Sequence, residues 1–405
     1  MAAAIALLPL SMPIFPGNSS PVDIVIAGAL LVFVFWAGTS GASLRAPYVV
    51  PVGLSVVTGT AAALLGQFPA TGLQAIVQDL FLLGWALALA NVARTPRALS
   101  IVARAWAWSS VLWSGVLLVA VMAGLTALAG VDPTEGSRAG LTFGDQNTAA
   151  AYYAISLMIV LACRRPRRGV ARAAAVALIA IALFLTGSLA GLLGVVPGVA
   201  AVAVIRIRTQ WGNEAAVAST IGVLLLAGLV VTVVHPLQAA ESASTSKYIV
   251  VRDSIGRAQQ SSSEREVLAR ETTRLFVTGG LLGRGPASTW STLQADQAPY
   301  PKEAHDDYIA AIVERGVIGL FAVLLLVGAV TFRAVAVSTR PLDSQFREAL
   351  PAPHWLLGVV PVFVVFSLTH EVLHDHTVWT FFGFLAAVYA WTRSGASGHA
   401  RGELR

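Results

Sequence analysis

Apolar residues along this chain come in runs of about 20, separated by short polar clusters. A helix rises about 1.5 Å per residue, so a run of about 20 crosses the hydrocarbon core of a bilayer, about 30 Å thick. The runs fall near 23–40, 48–66, 73–93, 106–129, 147–163, 173–187, 188–205, 216–234, 316–333, 354–370 and 377–392. Backbone groups inside lipid must find partners within their own segment, so each run reads as a helix. The pattern predicts an all-α, polytopic membrane bundle of eleven helices, or twelve if residues 3–16 form a further short one.

Composition agrees. The chain has 405 residues, 56% hydrophobic and 12% charged, with mean hydropathy +0.73; a soluble domain carries about 25% charged residues. The net charge of +6 raises nucleic acid as a partner. Its distribution excludes one, because much of the arginine lies in short loops between apolar runs. Arg94, Arg97 and Arg104 follow the third run, Arg164, Arg165, Arg167 and Arg168 the fifth, and Arg206 and Arg208 the seventh. Arg333, Arg340 and Arg347 follow the ninth, and Arg393, Arg401 and Arg405 end the chain. Placing all of them in the cytoplasm fits strict alternation and predicts a multi-pass protein of the cytoplasmic (inner) membrane. The single cysteine, Cys163, excludes an internal disulfide framework. Residues 1–16 lack a basic start and contain three prolines, unlike a cleavable signal peptide.

Three units follow: spans at 1–234, an extracytoplasmic loop at 235–315, and spans with a cytoplasmic tail at 316–405. Long loops in compact architectures are functional or disordered, and this one is not low in complexity. "SKYIVVRDSIGRA" and "SEREVLARETTRLFVTGG" read as short amphipathic helices. In the second, Leu268, Thr272, Leu275 and Phe276 share a face, and Gly279-Gly280 ends it. The loop is rich in arginine, which as a solvated surface means little and as an anion site suits phosphate through its planar fork. A second outer segment, 130–146, precedes the fifth run.

Two polar features stand against the apolar background. Asp79 lies inside the third run, where an acid is costly and needs a partner such as an arginine of the outer loops. "HEVLHDH", residues 370–376, contains the His-Glu-x-x-His pattern of zinc metalloproteases. A zinc site needs a third protein ligand, and no distant segment resembles the motif that supplies one. His370, Glu371, His374 and Asp375 therefore read as polar groups facing an outer cavity. They serve as a structural cap, as an acceptor path or, as a third option, as metal ligands.

One long stretch carries a resemblance. It holds Ser263-x-Arg265, then Gly283-Arg284-Gly285-Pro286, then Ala304-His305-Asp306, then Glu314-Arg315-Gly316 with Gly319 entering an apolar run. This order and spacing resemble the signature of the O-antigen ligase and polymerase superfamily. "RAGLTFGDQNTAAAYYA", with Arg138, Gly140, Phe143, Asn147 and Ala150, resembles a second segment of the same family. Two positions depart from its pattern. Leu189 stands where members often carry an arginine after Thr186-Gly187-Ser188, and Ala269 stands for a tryptophan.

The resemblance implies a membrane glycosyltransferase of cell-envelope polysaccharide synthesis. Its donor is a glycan on a polyprenyl (undecaprenyl-type) diphosphate, its acceptor a glycan, lipid or protein, and its surroundings membrane lipid; it uses no cofactor and no metal. Such a donor has a good leaving group built in. The protein must stabilise charge growing on the diphosphate, which fixed guanidinium groups do. It must also orient or deprotonate an acceptor hydroxyl. Arg265 is assigned first to the diphosphate, with Arg138, Arg270 and Arg284 behind it. His305 is assigned to acceptor activation with Glu314 in support, and Asn147 and Asp306 to substrate binding. His370, His374 and Asp375 are candidates for the acceptor path. Ligases and polymerases share these motifs. A flippase for lipid-linked sugars is the rival from another class, and it predicts an internal repeat and paired broken helices, neither of which is evident.

Overall fold

The computed structural model describes residues 1–15, 19–132, 136–234, 236–247, 249–254, 256 and 258–402. The described residues form helices and connecting turns, with no named strand. In chain order these are α1 (Ala2–Ala6), α2 (Pro21–Ser40), α3 (Val49–Leu65), α4 (Pro69–Val92), α5 (Pro96–Met122), α6 (Thr126–Ala129), α7 (Gln146–Cys163), α8 (Gly169–Leu185) and α9 (Leu189–Val234). Then come α10 (Pro236–Ser244), α11 (Ile249–Ser254), α12 (Ala258–Gly279), α13 (Thr289–Ala295), α14 (Asp307–Thr339), α15 (Ser344–Ala349), α16 (Trp355–Ser367) and α17 (His376–Gly402).

Local chemistry sets the starts. Prolines open α2, α4 and α5, where a missing N–H costs nothing. Ser20 and Asp23 close a reciprocal capping box on α2. Asp145, Asp306 and Asp343 accept backbone N–H groups at the starts of α7, α14 and α15.

Among the described residues, six helices are long and apolar enough to cross a membrane, and α3, α8 and α16 are shorter apolar helices. The protein is an all-α, multi-pass bundle. Several boundaries differ from the sequence expectation. Residues 3–15 form no twelfth span, because α1 has five residues and covers about 7.5 Å. The seventh and eighth runs join in one helical stretch, α9, interrupted at Gly212 with φ 90° and ψ −179°. The tenth run stops at Ser367, which leaves residues 368–375 as a turn before α17. Of the first expected loop helix, Tyr248, Ile255 and Arg257 lie outside the described residues, as does Arg405 of the tail.

Burial separates centre from rim. In α7, 83% of the apolar window is buried, and in α2 only 17%. Leu31 and Phe35 of α2 are each 73% exposed, as a lipid-facing helix requires. Trp85, Trp106, Tyr152, Tyr153, Phe363 and Phe382 fill the centre. The polar tips of both tryptophans are satisfied there: Trp85 donates to Thr380 (2.8 Å) and Trp106 to Ser156 (3.0 Å). Helix α14 packs against α3, α16, α17 and α12, and so joins the bundle to the long loop.

Candidate active site

The site grows from one break in a helix. Gly316 has φ 70° and ψ −169°, which interrupts α14 between two and three turns from its start at Asp307. The break frees the carbonyls of Val313 and Glu314, which accept from Arg284 N (3.0 Å) and Gly285 N (2.9 Å). Val317 N donates to Leu281 O (3.2 Å). Two of the motifs read from the sequence are therefore one object: the Gly-x-Gly-Pro turn is laced to the kink of Glu-x-Gly. A Cβ on Gly316 would lie 2.0 Å from Leu281 O, and one on Gly283 2.6 Å from the Glu314 carbonyl. Both positions also have positive φ, so glycine is required twice over.

Helix α12 docks beside this lacing. Leu268 and Leu275 pack with Leu293 of α13 and Val313 of α14, and Phe276 joins from the edge. This is the face expected from the sequence, with Thr272 fully buried on it. Arg265 sits on the exposed side of the same helix. Its charge reaches His305 and disfavours the imidazolium there.

His305 occupies the last turn before α14, at φ 53°. Its ring stacks on His370 with centroids 5.5 Å apart and planes at 21°. His370 Nε2 lies 3.5 Å from Asp145 Oδ1. That same oxygen caps α7 by accepting from Asn147 N (2.7 Å) and Thr148 N (2.8 Å). Asn147 Oδ1 accepts from Arg138 Nη2 (3.2 Å) and Ser188 Oγ (2.9 Å), and Arg138 Nε donates to Thr186 O (3.0 Å). Arg138, Asn147, His370, His305 and Arg265, far apart in sequence, thus meet in one place.

Burial, aided by the charges of His370 and Lys302, pushes the His305 pKa down to about 4; Asp145 works the other way and Arg265 with the lowering. A neutral imidazole at neutral pH is the form that can accept a proton. Burial tends to raise the Asp145 carboxyl, but His370, the two backbone N–H groups and Arg138 outweigh it and hold it below its ordinary value.

A second polar layer lies beneath. The backbone N–H of His305 donates to Glu371, whose carboxyl is pushed well above its usual range by burial and by Glu314, Glu303 and Asp307. Glu371 lies 3.8 Å from His374 Nε2, and His374 Nδ1 lies 4.0 Å from Asp79. Asp79 pairs with Arg315 at 2.6 Å, and Arg315 also donates to Ser55. These groups line a cavity of about 50 Å³ whose other wall is apolar, from Val52, Val323 and Leu326. That is room for about three or four waters. Asp79 has the arginine partner expected for it.

Other candidates have structural partners of their own. Glu314 accepts from Ala287 N (2.7 Å), Thr289 N (3.3 Å) and Thr289 Oγ1 (2.6 Å), so its carboxylate anchors the turn before α13. Asp306 spends one oxygen on Tyr308 N and Ile309 N as the cap of α14. Arg284 reaches back to Leu275 O (3.1 Å) and Thr278 Oγ1 (2.6 Å) and closes the end of α12. Arg270 pairs with Glu266 on the solvent face, its side chain 79% exposed. Asp375 caps α17 through Thr377 N (2.7 Å).

The metalloprotease pattern loses its premise. Residues 368–375 are not helical, so His370 and His374 are not one helical turn apart. They face different acids, Asp145 and Asp79. Among the described residues, no group of three or more His, Cys, Asp or Glu is placed to hold a metal ion.

Sequence reasoning did not single out Asp145, Ser188 or Arg315 as site residues. For Asp145 the signal was present, since Asp-x-x before an apolar run marks a helix N-cap. For Arg315 it was only the arginine beside Glu314.

A multi-pass helical membrane protein with arginines and a neutral histidine gathered around one extended loop is the class defined by this arrangement. Residues 174–324 match the family model described as O-antigen ligase. That stretch of the chain is similar to an O-antigen ligase domain. The match takes in Arg265, His305 and Glu314. Arg138 and Asn147 lie before it and the 370–376 turn after it, and they reach the site through the fold. No curated protein matches the chain significantly.

Proposed function

We propose that the chain is an inverting glycosyltransferase that moves a glycan from a polyprenyl diphosphate to an acceptor hydroxyl at the outer face of the cytoplasmic membrane. The observation that carries this reading is His305. It is neutral, stacked on His370, and set between Arg265 and the Arg138–Asn147 pair. His305 accepts the acceptor's hydroxyl proton as the acceptor oxygen attacks the anomeric carbon. The bond from that carbon to the diphosphate oxygen breaks on the opposite face. The electron pair stays on the diphosphate, where Arg265 and Arg138 meet the growing charge. The proton on His305 passes to the departing diphosphate or to water, which returns the neutral imidazole. Asp145 holds His370, and His370 holds the His305 ring. The turn at 370–376 forms the acceptor side, and a glycan, a lipid or a protein hydroxyl serves this chemistry equally.

The test is transfer from a purified polyprenyl-diphosphate glycan in excess EDTA, with wild type, His305→Ala and Arg265→Ala. Chelator-resistant release of polyprenyl diphosphate is expected, reduced about 10²–10⁴-fold without the base. Turnover abolished by EDTA, or unchanged in His305→Ala, would overturn the assignment.

A further inference from the structure

A cluster at the other end of the bundle stands apart from this site. Helices α14 and α17 start at the site and end away from it, while α3 starts away from it. At that far end lie Arg45 before α3, Arg94 after α4, Arg333 late in α14 and Trp391 just past the middle of α17, where its apolar run ends. The guanidinium of Arg45 lies 5.8 Å from the ring centre of Trp391, and Trp391 stacks on Phe346 at 4.3 Å.

The donors here outnumber the acceptors. Asn91 Oδ1 already accepts from Arg45 N (2.8 Å) and from Arg94 Nη2. Its amide nitrogen is spent on Arg45 O (2.8 Å) and Leu87 O (2.7 Å). Three strong donors are left, Arg45 Nη1, Arg94 Nε and Trp391 Nε1, all buried and without a hydrogen-bond partner among the described residues. No ion pair joins Arg45 or Arg94 to a described carboxylate. Burial and the neighbouring Arg94 charge push the Arg45 guanidinium below its ordinary value, as expected where positive charge is uncompensated. A buried donor without an acceptor costs about 1–3 kcal/mol, and more when charged. Three at one point call for an acceptor that carries negative charge.

We propose that Arg45, Arg94 and Trp391 form a binding site for a phosphate group, supplied by the headgroup of an anionic phospholipid. Phosphate matches two guanidinium forks and an indole N–H, all donors. The lipid source follows from the surroundings. Leu44 (52% exposed), Val49 (41%) and Val50 (68%) present apolar side chains beside Arg45, where acyl chains would lie. Tryptophan and arginine together at the end of membrane helices are the mark of the headgroup level. Arg333, held between Tyr48 (4.5 Å) and Tyr389 (5.5 Å), adds a further positive charge to this end. The site does not depend on the proposed transferase chemistry.

The experiment uses the full chain purified in detergent and native mass spectrometry with added phosphatidylglycerol or phosphatidylcholine. Thermal unfolding with and without inorganic phosphate runs in parallel. The variants are Arg45→Gln, Arg94→Gln, and Trp391→Phe, which removes the N–H and keeps the stack on Phe346. Phosphatidylglycerol is expected to stay bound in preference to phosphatidylcholine. Each arginine variant should weaken that binding about fivefold, and Trp391→Phe should weaken it less. Stabilisation of wild type by inorganic phosphate, lost in the variants and without lipid preference, would support the anion site and reassign its source to soluble phosphate. Equal retention of both lipids in wild type and Trp391→Phe, with no effect of phosphate, would overturn the proposal.

Discussion

His305 and His370 stack with ring centres 5.5 Å apart, and only His370 has an acid, Asp145, within 3.5 Å of its ring nitrogen. In the proposed mechanism the two imidazoles have different tasks: the one without an acid is the base, and the one beside Asp145 orients it.

This difference sets a pH profile. The folded His305 has its pKa lowered to about 4, so the active, neutral form persists until pH falls toward that value. Arg265 is among the charges that lower it and Asp145 the one that raises it. Arg265→Gln should move the acid limb of kcat/KM to higher pH, and Asp145→Asn, which can still cap α7, should move it lower. Both limbs moving the same way would show that the limb reports another group.

Asn147 is the joint between Arg138 and Ser188. Asn147→Ala removes one hydrogen bond from Arg138 and keeps its bond to Thr186 O. Hydrogen bonds to charged groups are worth about 1.5–3 kcal/mol, so kcat/KM for the donor should fall roughly 10- to 100-fold. Asn147→Asp keeps an acceptor oxygen and should recover part of the loss. Steady-state kinetics with the donor varied would check both, and an unchanged Asn147→Ala would remove Arg138 from the donor site.

Two arginines of the loop should part company. Arg270 is paired on the surface, where such pairs contribute about 0–1 kcal/mol; Arg270→Ala should leave transfer and melting nearly unchanged. Arg284 closes α12 with two bonds. Arg284→Ala should lower stability by about 1–2 kcal/mol and lower transfer through a loosened Arg265. Thermal melts and transfer rates measured on the same preparations distinguish the two.

Much of this was readable in the chain. Apolar runs placed most of the helices because lipid leaves the backbone few choices. The shared face of Leu268, Thr272 and Leu275 was legible because it follows helical spacing. The end of α16 was not, since Leu368 and Thr369 continue the apolar run with no local stop signal, and the turn there is held through tertiary contacts such as Val372 N to Asp307 (3.1 Å). Nor were the contacts of Glu314 legible. A carboxylate beside a motif histidine suggests chemistry, and its three bonds, across 25 to 27 residues, also tie it to the turn before α13. Motifs report which residues matter in a family and not whether they touch substrate or hold the turn that does.

The buried pair of Arg315 and Asp79 gives the sharpest stability test. Both side chains are 10% exposed, and the pair ties α14 to α4 beneath the site. Removing one partner leaves a buried charge alone, at a cost of about 3–5 kcal/mol. Arg315→Met should therefore destabilise by that much, and Asp79→Leu by a similar amount. The double variant removes both charges and should be far less destabilised than the sum of the two. Denaturant unfolding in detergent, read as a double-mutant cycle, measures this coupling. Additive losses would mean that Arg315 and Asp79 each answer to a different partner in the cavity, with His374 and Glu371 the first to examine.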